Sequence, residues 1–298
     1  MTDRMEDIPK PPARPVDGHK GTFGTVVVVG GSAMMVGAPA MTATAAFRSG
    51  AGLVKVLTDG GLVPHVIGIE PSATGIERPP HGDILSLGKL LDSLGSGSVM
   101  AVGPGMGRSG AQRAVVKAIM KTGMRVVLDA DGLNNFADDA SLSNPRKPAG
   151  SREGELVMTP HPGEFGRLAE AAGLKYRDGV DPAVRVEAAC ELAGRHRAVV
   201  VLKGRESVVA DVDGKRYAIN QTGNAALATA GSGDVLTGVI AGLMAQGMGG
   251  FEAARLGVHV HGLAADAWVA DHNGYAAGML ARELSIYIPA ALAEVAAG

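Results

Sequence analysis

Short apolar runs recur along the chain at positions 25–29, 53–57, 99–102, 125–128, 156–158 and 198–202. They are rich in valine and leucine and carry little polar alternation, which predicts strands buried on both faces of a sheet. Between them, positions 37–49, 109–121, 162–172 and 182–195 place apolar residues at helical spacing. Strand and helix alternating in this way predict a parallel sheet with right-handed crossovers, an α/β protein. After Lys203 the pattern changes. Positions 207–211 and 215–219 flank Val212-Asp213-Gly214 and predict a hairpin, hence a short antiparallel edge on the parallel sheet. Helical stretches at 233–246, 251–271 and 279–297 close the chain and are expected to cover one face of the sheet.

Composition narrows the class. Of 298 residues, 46% are hydrophobic and 19% charged, enough apolar matter for a large core and too little charge for disorder. The chain reads as an amino-terminal arm, 1–17, expected to be disordered, and a single domain, 18–298. The polar, proline- and serine-rich stretch 138–155 reads as a surface loop inside that domain. A net charge of -2 gives no reason to expect nucleic acid or an anionic membrane as partner, and no uncharged apolar run reaches the roughly 18 to 20 residues of a membrane span. The first residues, MTDRMEDIPKPPARP, lack the apolar segment of a signal peptide, so a cytoplasmic enzyme is expected. The single cysteine, Cys190, lies within a helical pattern and reads as a small packed residue rather than a nucleophile.

The 44 glycines are not spread through linkers; many gather at the carboxyl ends of the apolar runs. There the chain reads Gly30-Gly31-Ser32, Gly103-Pro104-Gly105-Met106-Gly107, Asp129-Ala130-Asp131, Thr159-Pro160-His161-Pro162-Gly163-Glu164 and Lys203-Gly204. Ligands of open α/β sheets bind at that rim. The turn Ala230-Gly231-Ser232-Gly233-Asp234 opens a helix, and the N–H groups of Gly231, Ser232 and Gly233, with the positive end of the helix dipole, form an anion site. Neither a P-loop, nor a dinucleotide-binding glycine fingerprint after a strand, nor a serine-nucleophile elbow occurs. Asp234 suits a helix start in any case. His161, held between two prolines, is either a ligand contact or a bystander to a helix capped by Thr159 or Glu164, and its place on the rim favours the contact. His259 and His261 are two apart on a helix and point to different sides, so packing outweighs a metal pair. Asp129 and Asp131 stand equally as Mg²⁺ or ribose ligands and as a helix-capping segment, with metal ligands otherwise unassigned.

The ordered set of segments resembles the ADP/ATP-dependent NAD(P)H-hydrate dehydratases of the ribokinase-like superfamily. It runs from His19-Lys20-Gly21-Thr22-Phe23-Gly24 through Arg48-Ser49-Gly50-Ala51-Gly52, Gly103-Pro104-Gly105-Met106-Gly107, Leu128-Asp129-Ala130-Asp131 and Thr159-Pro160-His161-Pro162-Gly163-Glu164. It ends in Val201-Leu202-Lys203-Gly204 and Gly233-Asp234-Val235-Leu236-Thr237-Gly238. The resemblance implies a three-layer α/β sandwich and removal of water from the S epimer of hydrated NADH or NADPH. It also implies ADP or ATP as co-substrate, with ADP the expected form, Mg²⁺, and phosphate as a product. By position, Lys203, Gly204, Arg205, Glu206, Ser207 and Gly233 resemble the nucleotide-binding residues, while Ala38, Gly105, His161 and Asp234 resemble those that bind the hydrate. Asp234 would be the general base. A separate epimerase chain and a homotetramer are further implications. Many relatives carry Thr where Ser207 stands, and a Pro-Glu segment where this chain has Val63-Pro64-His65-Val66-Ile67-Gly68. The competing expectations are a vitamin-precursor kinase of the same superfamily, distinguished by a lasting phosphoester product, and a nucleotide sensor without turnover.

Overall fold

The computed structural model describes residues 7–143, 156–176 and 181–298. The order of elements is β1 (Thr25–Val29), α1 (Gly37–Arg48), β2 (Leu53–Thr58), α2 (Val63–Ile69), β3 (Thr74–Glu77), α3 (Ile84–Ser93), β4 (Val99–Val102), α4 (Gly110–Met120), β5 (Arg125–Leu128), α5 (Asp131–Ala137) and α6 (Ala140–Ser143). It continues with β6 (Leu156–Met158), α7 (Pro162–Ala171), α8 (Pro182–His196), β7 (Val199–Leu202), β8 (Val208–Ala210), β9 (Tyr217–Ile219), α9 (Ser232–Ala245), α10 (Gly250–Asp271) and α11 (Ala281–Ala297).

The strands form one sheet in the order β3-β2-β1-β4-β5-β6-β7-β8-β9. Pairing is parallel from β3 through β7, and β8 and β9 add the antiparallel edge. Alternate strand residues enter opposite cores because side chains alternate across a sheet. Val26, Val28, Val99 and Ala101 meet α1, α9, α10 and α11, whereas Val27, Val29, Met100 and Val102 face the layer that includes α4, α5, α7 and α8. The closing helices therefore cover one face, as their apolar composition suggested. This three-layer arrangement is the ribokinase-like fold.

Two edges depart from the sequence expectation. The apolar pattern did not pick out β3, an outer strand of four residues whose ends are exposed. A strand with one neighbour and half-solvated faces needs no continuous apolar run. The amino-terminal arm was expected to be disordered. Residues 1–6 lie outside the described residues, but from Asp7 onward the arm rests on the body. The Arg255 guanidinium donates to the Asp7 carbonyl, Ile8 packs on the core, and Arg14 donates to the Gly50 carbonyl (2.9 Å) while lying over the Phe23 ring. Of the expected 138–155 loop, α6 occupies part and 144–155 lie outside the described residues. Among the described residues no helix is long and apolar enough to cross a membrane.

Strand order reverses at β1, whose neighbours are β2 on one side and β4 on the other. The crevice at such a switch point is where open α/β sheets take ligands. Here the loop after β1 and the loop after β4 touch: the Gly31 N–H donates to the Pro104 carbonyl at 2.9 Å.

Candidate active site

The carboxyl ends of β5, β6 and β7 and the start of α9 converge on one buried ionic cluster. Lys203, the residue after β7, donates from Nζ to Asp129 Oδ1 at 2.7 Å. Thr237, one turn into α9, donates to the other oxygen, Asp129 Oδ2, also at 2.7 Å. Asp129 and Thr237 are buried, so each carboxylate oxygen is matched inside the protein, as burial of a charge requires. Both aspartates make contacts within the protein. Asp129 holds Lys203 in place, and Asp131 accepts the Gly107 N–H at 2.8 Å, tying the β4 loop to α5. Asp131 is the first residue of α5 rather than its cap.

Glu164 closes the cluster from the other side, with Oε2 at 4.0 Å from Lys203 Nζ. It also accepts the His161 N–H at 2.9 Å, while His161 Nδ1 accepts the Gly163 N–H at 3.0 Å. His161 and Glu164 thus form a reciprocal cap on α7, so the capping role falls to His161 itself. Because Nδ1 accepts, the neutral ring carries its proton on Nε2. That edge lies 3.3 Å from Glu164 Oε1 on a half-exposed side chain that lines a cavity of about 390 Å³.

Asp234 lies in the first turn of α9 and lines the same cavity. Among the described residues nothing donates to its carboxylate. Burial pushes its pKa up to about 7, the neighbouring charge of Asp129 adds to the rise, and Lys203 opposes it. Glu164 is likewise pushed up to about 7, again chiefly by burial, with Lys203 opposing. For Lys203, burial disfavours the charge, but Asp129 and Glu164 outweigh it and hold the amine above the ordinary lysine range. Burial also lowers the His161 pKa, assisted by Lys203, which keeps the ring neutral. An acid poised near neutrality in a cleft is suited to general-base work.

At the turn expected to hold an anion, the Ser232 N–H donates to the Thr229 carbonyl at 3.3 Å. Gly231 adopts φ +93°, a left-handed conformation that admits glycine without strain, and α9 starts at the next residue. His261 donates from Nε2 to the Ser232 carbonyl at 2.9 Å, holding that carbonyl against α10. Burial keeps this histidine neutral, with its pKa down to about 4. His261 is therefore a packed, hydrogen-bonded residue and no metal ligand.

A second cavity, of about 760 Å³, adjoins the first along Lys203, Gly204, Ser232 and Gly233. Its walls include Lys203, Gly204, Arg205, Glu206 and Ser207 on one side and the 220–225 segment on the other. Asp266 of α10 fixes that second wall by accepting the Gly223 N–H at 2.9 Å and the Asn224 Nδ2–H at 2.8 Å. Ala38 and Gly105 sit elsewhere on the rim. They are neighbours at the β1/β4 crevice, where a Cβ on Gly105 would stand 3.1 Å from that of Ala38, and neither lines the two cavities. Thr42 links the crevice to the acid by donating to the Ala38 carbonyl (3.1 Å) and the Asp234 carbonyl (3.0 Å). Among the described residues no three His, Cys, Asp or Glu side chains converge as a metal cage.

Two adjoining cavities meet at an anion turn, with a buried lysine and a near-neutral acid at their junction. The family described as NAD(P)H-hydrate dehydratase matches residues 26–290 of the sequence. The chain belongs to this family. It is 40% identical over 275 residues to the ADP-dependent (S)-NAD(P)H-hydrate dehydratase of Neisseria meningitidis serogroup B, covering 92% of this chain and 86% of that one. It is 39% identical over 284 residues to the bifunctional NAD(P)H-hydrate repair enzyme of Moorella thermoacetica, covering 93% of this chain and 51% of that one. The chain thus spans about half the length of such bifunctional relatives. The ADP/ATP-dependent NAD(P)H-hydrate dehydratase of Bacillus subtilis, co-crystallised with ATP and Mg²⁺, superposes with a TM-score of 0.74 at 29% identity, covering 95% of this chain and 94% of that one.

The sequence motifs of this dehydratase-family chain did not reveal every residue of the cluster. Thr237 and Glu164 stood within quoted segments, but their bonds to Asp129 and His161 emerge only in three dimensions. Asp266, which holds the 220–225 wall, and Arg185, whose guanidinium donates to the Leu202 and Lys203 carbonyls, lie on helices whose periodicity says only that they are helices.

Proposed function

We propose that this chain removes water from the S epimer of hydrated NADH or NADPH, consuming ADP or ATP and releasing phosphate. The observation that carries the reading is the junction of the two cavities: Asp234 on one side, and the anion turn with Lys203 between them. The larger cavity would take the nucleotide against residues 203–207. The hydrate's hydroxyl would approach Asp234, flanked by His161 and the Ala38–Gly105 crevice.

Hydroxide is a poor leaving group, so the hydroxyl is first converted to a phosphoester. In its ionised form, which predominates above about pH 7, Asp234 accepts the hydroxyl proton, and the oxygen attacks the terminal phosphoryl group. The N–H groups of Gly231 and Gly233 and the Lys203 ammonium stabilise the charge on that group, the Ser232 N–H being donated to the Thr229 carbonyl. Phosphate then departs with the carbon–oxygen electron pair, assisted by the ring nitrogen lone pair. Loss of a proton from the adjacent ring carbon restores the double bond. Glu164 and Asp234, which line the smaller cavity beside the turn, would hold Mg²⁺ brought in with the nucleotide, and the ion would supply neutralisation of phosphate charge. The acid cluster itself favours a cation there.

An epimerase on another chain would supply the S epimer, a cytoplasmic setting suits a cofactor-repair enzyme, and association into a tetramer is testable by light scattering. The exposed Ile286 on α11 is consistent with self-association. The activity itself is tested by mixing hydrated NADH, Mg²⁺ and either nucleotide while following reduced-nicotinamide absorbance and free phosphate together. Recovery of both supports the reading. A stable phosphorylated product with no absorbance gain would make the chain a kinase instead.

A further inference from the structure

Among the described residues, buried lysine and arginine side chains are matched by carboxylates, with one exception. Arg78 is buried and pairs with Asp59 and, through Nη1, with Gln112 Oε1 at 2.6 Å. Lys203 pairs with Asp129. Arg185 of α8 is equally buried, at 8% exposure, yet no carboxylate lies within ion-pairing distance among the described residues. Its Nη2 donates to the carbonyls of Leu202 (3.2 Å) and Lys203 (3.3 Å), and its Nε has no partner. An unpaired buried guanidinium is costly and calls for an anion nearby.

The place of that guanidinium is informative. It lies directly behind Gly204, which lines both cavities and has φ +149°. A Cβ on Gly204 would meet Arg185 Nη2 at 2.9 Å and Nη1 at 3.3 Å, so glycine at this position lets the guanidinium pack directly against the backbone of a residue that lines both cavities. The cavity side of that wall needs positive charge. Asp129, Glu164 and Asp234 surround the single Lys203 ammonium, and an incoming polyphosphate adds further negative charge.

We propose that Arg185 is a positioning residue for the nucleotide: it holds the Lys203–Gly204 backbone from behind, and the nucleotide's phosphates supply the counter-charge it lacks. The inference rests on the nucleotide reading of the larger cavity but not on the fate of the hydrate. Its effect passes through the 203–204 backbone, and the field reaches the phosphates across Gly204 with little screening.

The test measures ADP binding with Mg²⁺ in the absence of hydrate, by calorimetry, together with melting temperatures with and without ADP. It uses Arg185→Lys, Arg185→Gln and Arg185→Met. Glutamine can still donate to a carbonyl without carrying charge, so it separates the charge from the hydrogen bonds. The expected result is about tenfold weaker ADP binding in the Gln and Met variants and a smaller loss in Lys. The ADP-induced rise in melting temperature should shrink in Gln and Met, while the ligand-free melting temperature stays within a few degrees of wild type. Removing an unpaired buried charge relieves a cost that the empty protein bears. In steady state the nucleotide KM should rise while the hydrate KM stays within about twofold. Unchanged ADP affinity in Gln and Met would overturn the proposal, as would lysine performing no better than glutamine. If Met does not fold, the Lys and Gln pair decides the matter alone. A wild-type chain that binds ADP but leaves the hydrate untouched would refute the proposed function and leave the Arg185 result readable.

Discussion

Replacing Asp234 with asparagine should damage catalysis and stabilise the fold, and the two effects should share one pH range. The Asp234 carboxyl is pushed from an ordinary value of 3.8 up to about 7, chiefly by burial. Its folded pKa therefore lies above its unfolded one, so between about pH 4 and 7 the folded state holds a proton that the unfolded state has released. Stability contributed by this group is present at low pH and declines as pH rises through that window. A difference of about three pH units at ~1.4 kcal/mol each sets a ceiling of roughly 4 kcal/mol. The opposing Lys203 ammonium is already contained in that shift, and local relaxation with water penetration reduces the realised effect to about 2 kcal/mol. Asparagine is neutral throughout, so Asp234→Asn should exceed wild type by about that amount at pH 8.5 and approach it at pH 5. Urea denaturation at both values measures this directly. The dehydration rate should fall at least about a hundredfold, as expected for loss of a general base. In wild type, kcat/KM should decline as pH falls below about 7, as the base becomes protonated. Parallel stability profiles for wild type and variant would refute the claim that Asp234 is a destabilised, buried acid.

Further predictions concern the frame around it. Thr237→Val removes the donor to Asp129 Oδ2 and leaves a buried charged oxygen unmatched, so thermal melting should show a loss of about 2 kcal/mol, several degrees for a chain of this size. His161→Asn keeps an N-capping side chain on α7 whereas His161→Ala does not. Asparagine should preserve the melting temperature within a degree or two, and both variants should raise the hydrate KM if the ring contacts substrate. Gly233→Ala places a Cβ 3.2 Å from Lys203 Nζ at the junction of the cavities. The nucleotide KM should rise severalfold while circular dichroism and melting change little, since the flexible lysine end can yield only by leaving its place.

How far these features were legible depended on the range over which the residues act. Doubly buried strands such as β1 and β4 announce themselves as apolar runs, and their carboxyl ends led directly to the glycine-rich rim. The edge strand β3 did not, because half-exposed Thr74, Gly75, Ile76 and Glu77 carry no such run. The arm's attachment through Arg14 and Arg255 joins residues far apart in sequence, and its proline-rich composition alone suggested disorder. Within the site, the anion turn is local and could be read from Gly231 to Asp234. The Asp129 clamp joins Lys203, 74 residues away, and Thr237, 108 away, so no spacing rule could have assigned it. Arg185 was hidden for the same reason: its significance lies in what it lacks and in the glycine in front of it.

Phosphorylation of the hydrate should be transient. The most direct measurement is a single reaction of purified chain with the S epimer of hydrated NADH, Mg²⁺ and ADP or ATP, in which reduced-nicotinamide absorbance and inorganic phosphate are counted together. One phosphate is expected for each NADH restored, with neither signal when nucleotide is withheld. Nucleotide consumption that yields a persistent phosphorylated hydrate, or restoration of NADH without phosphate, would contradict it.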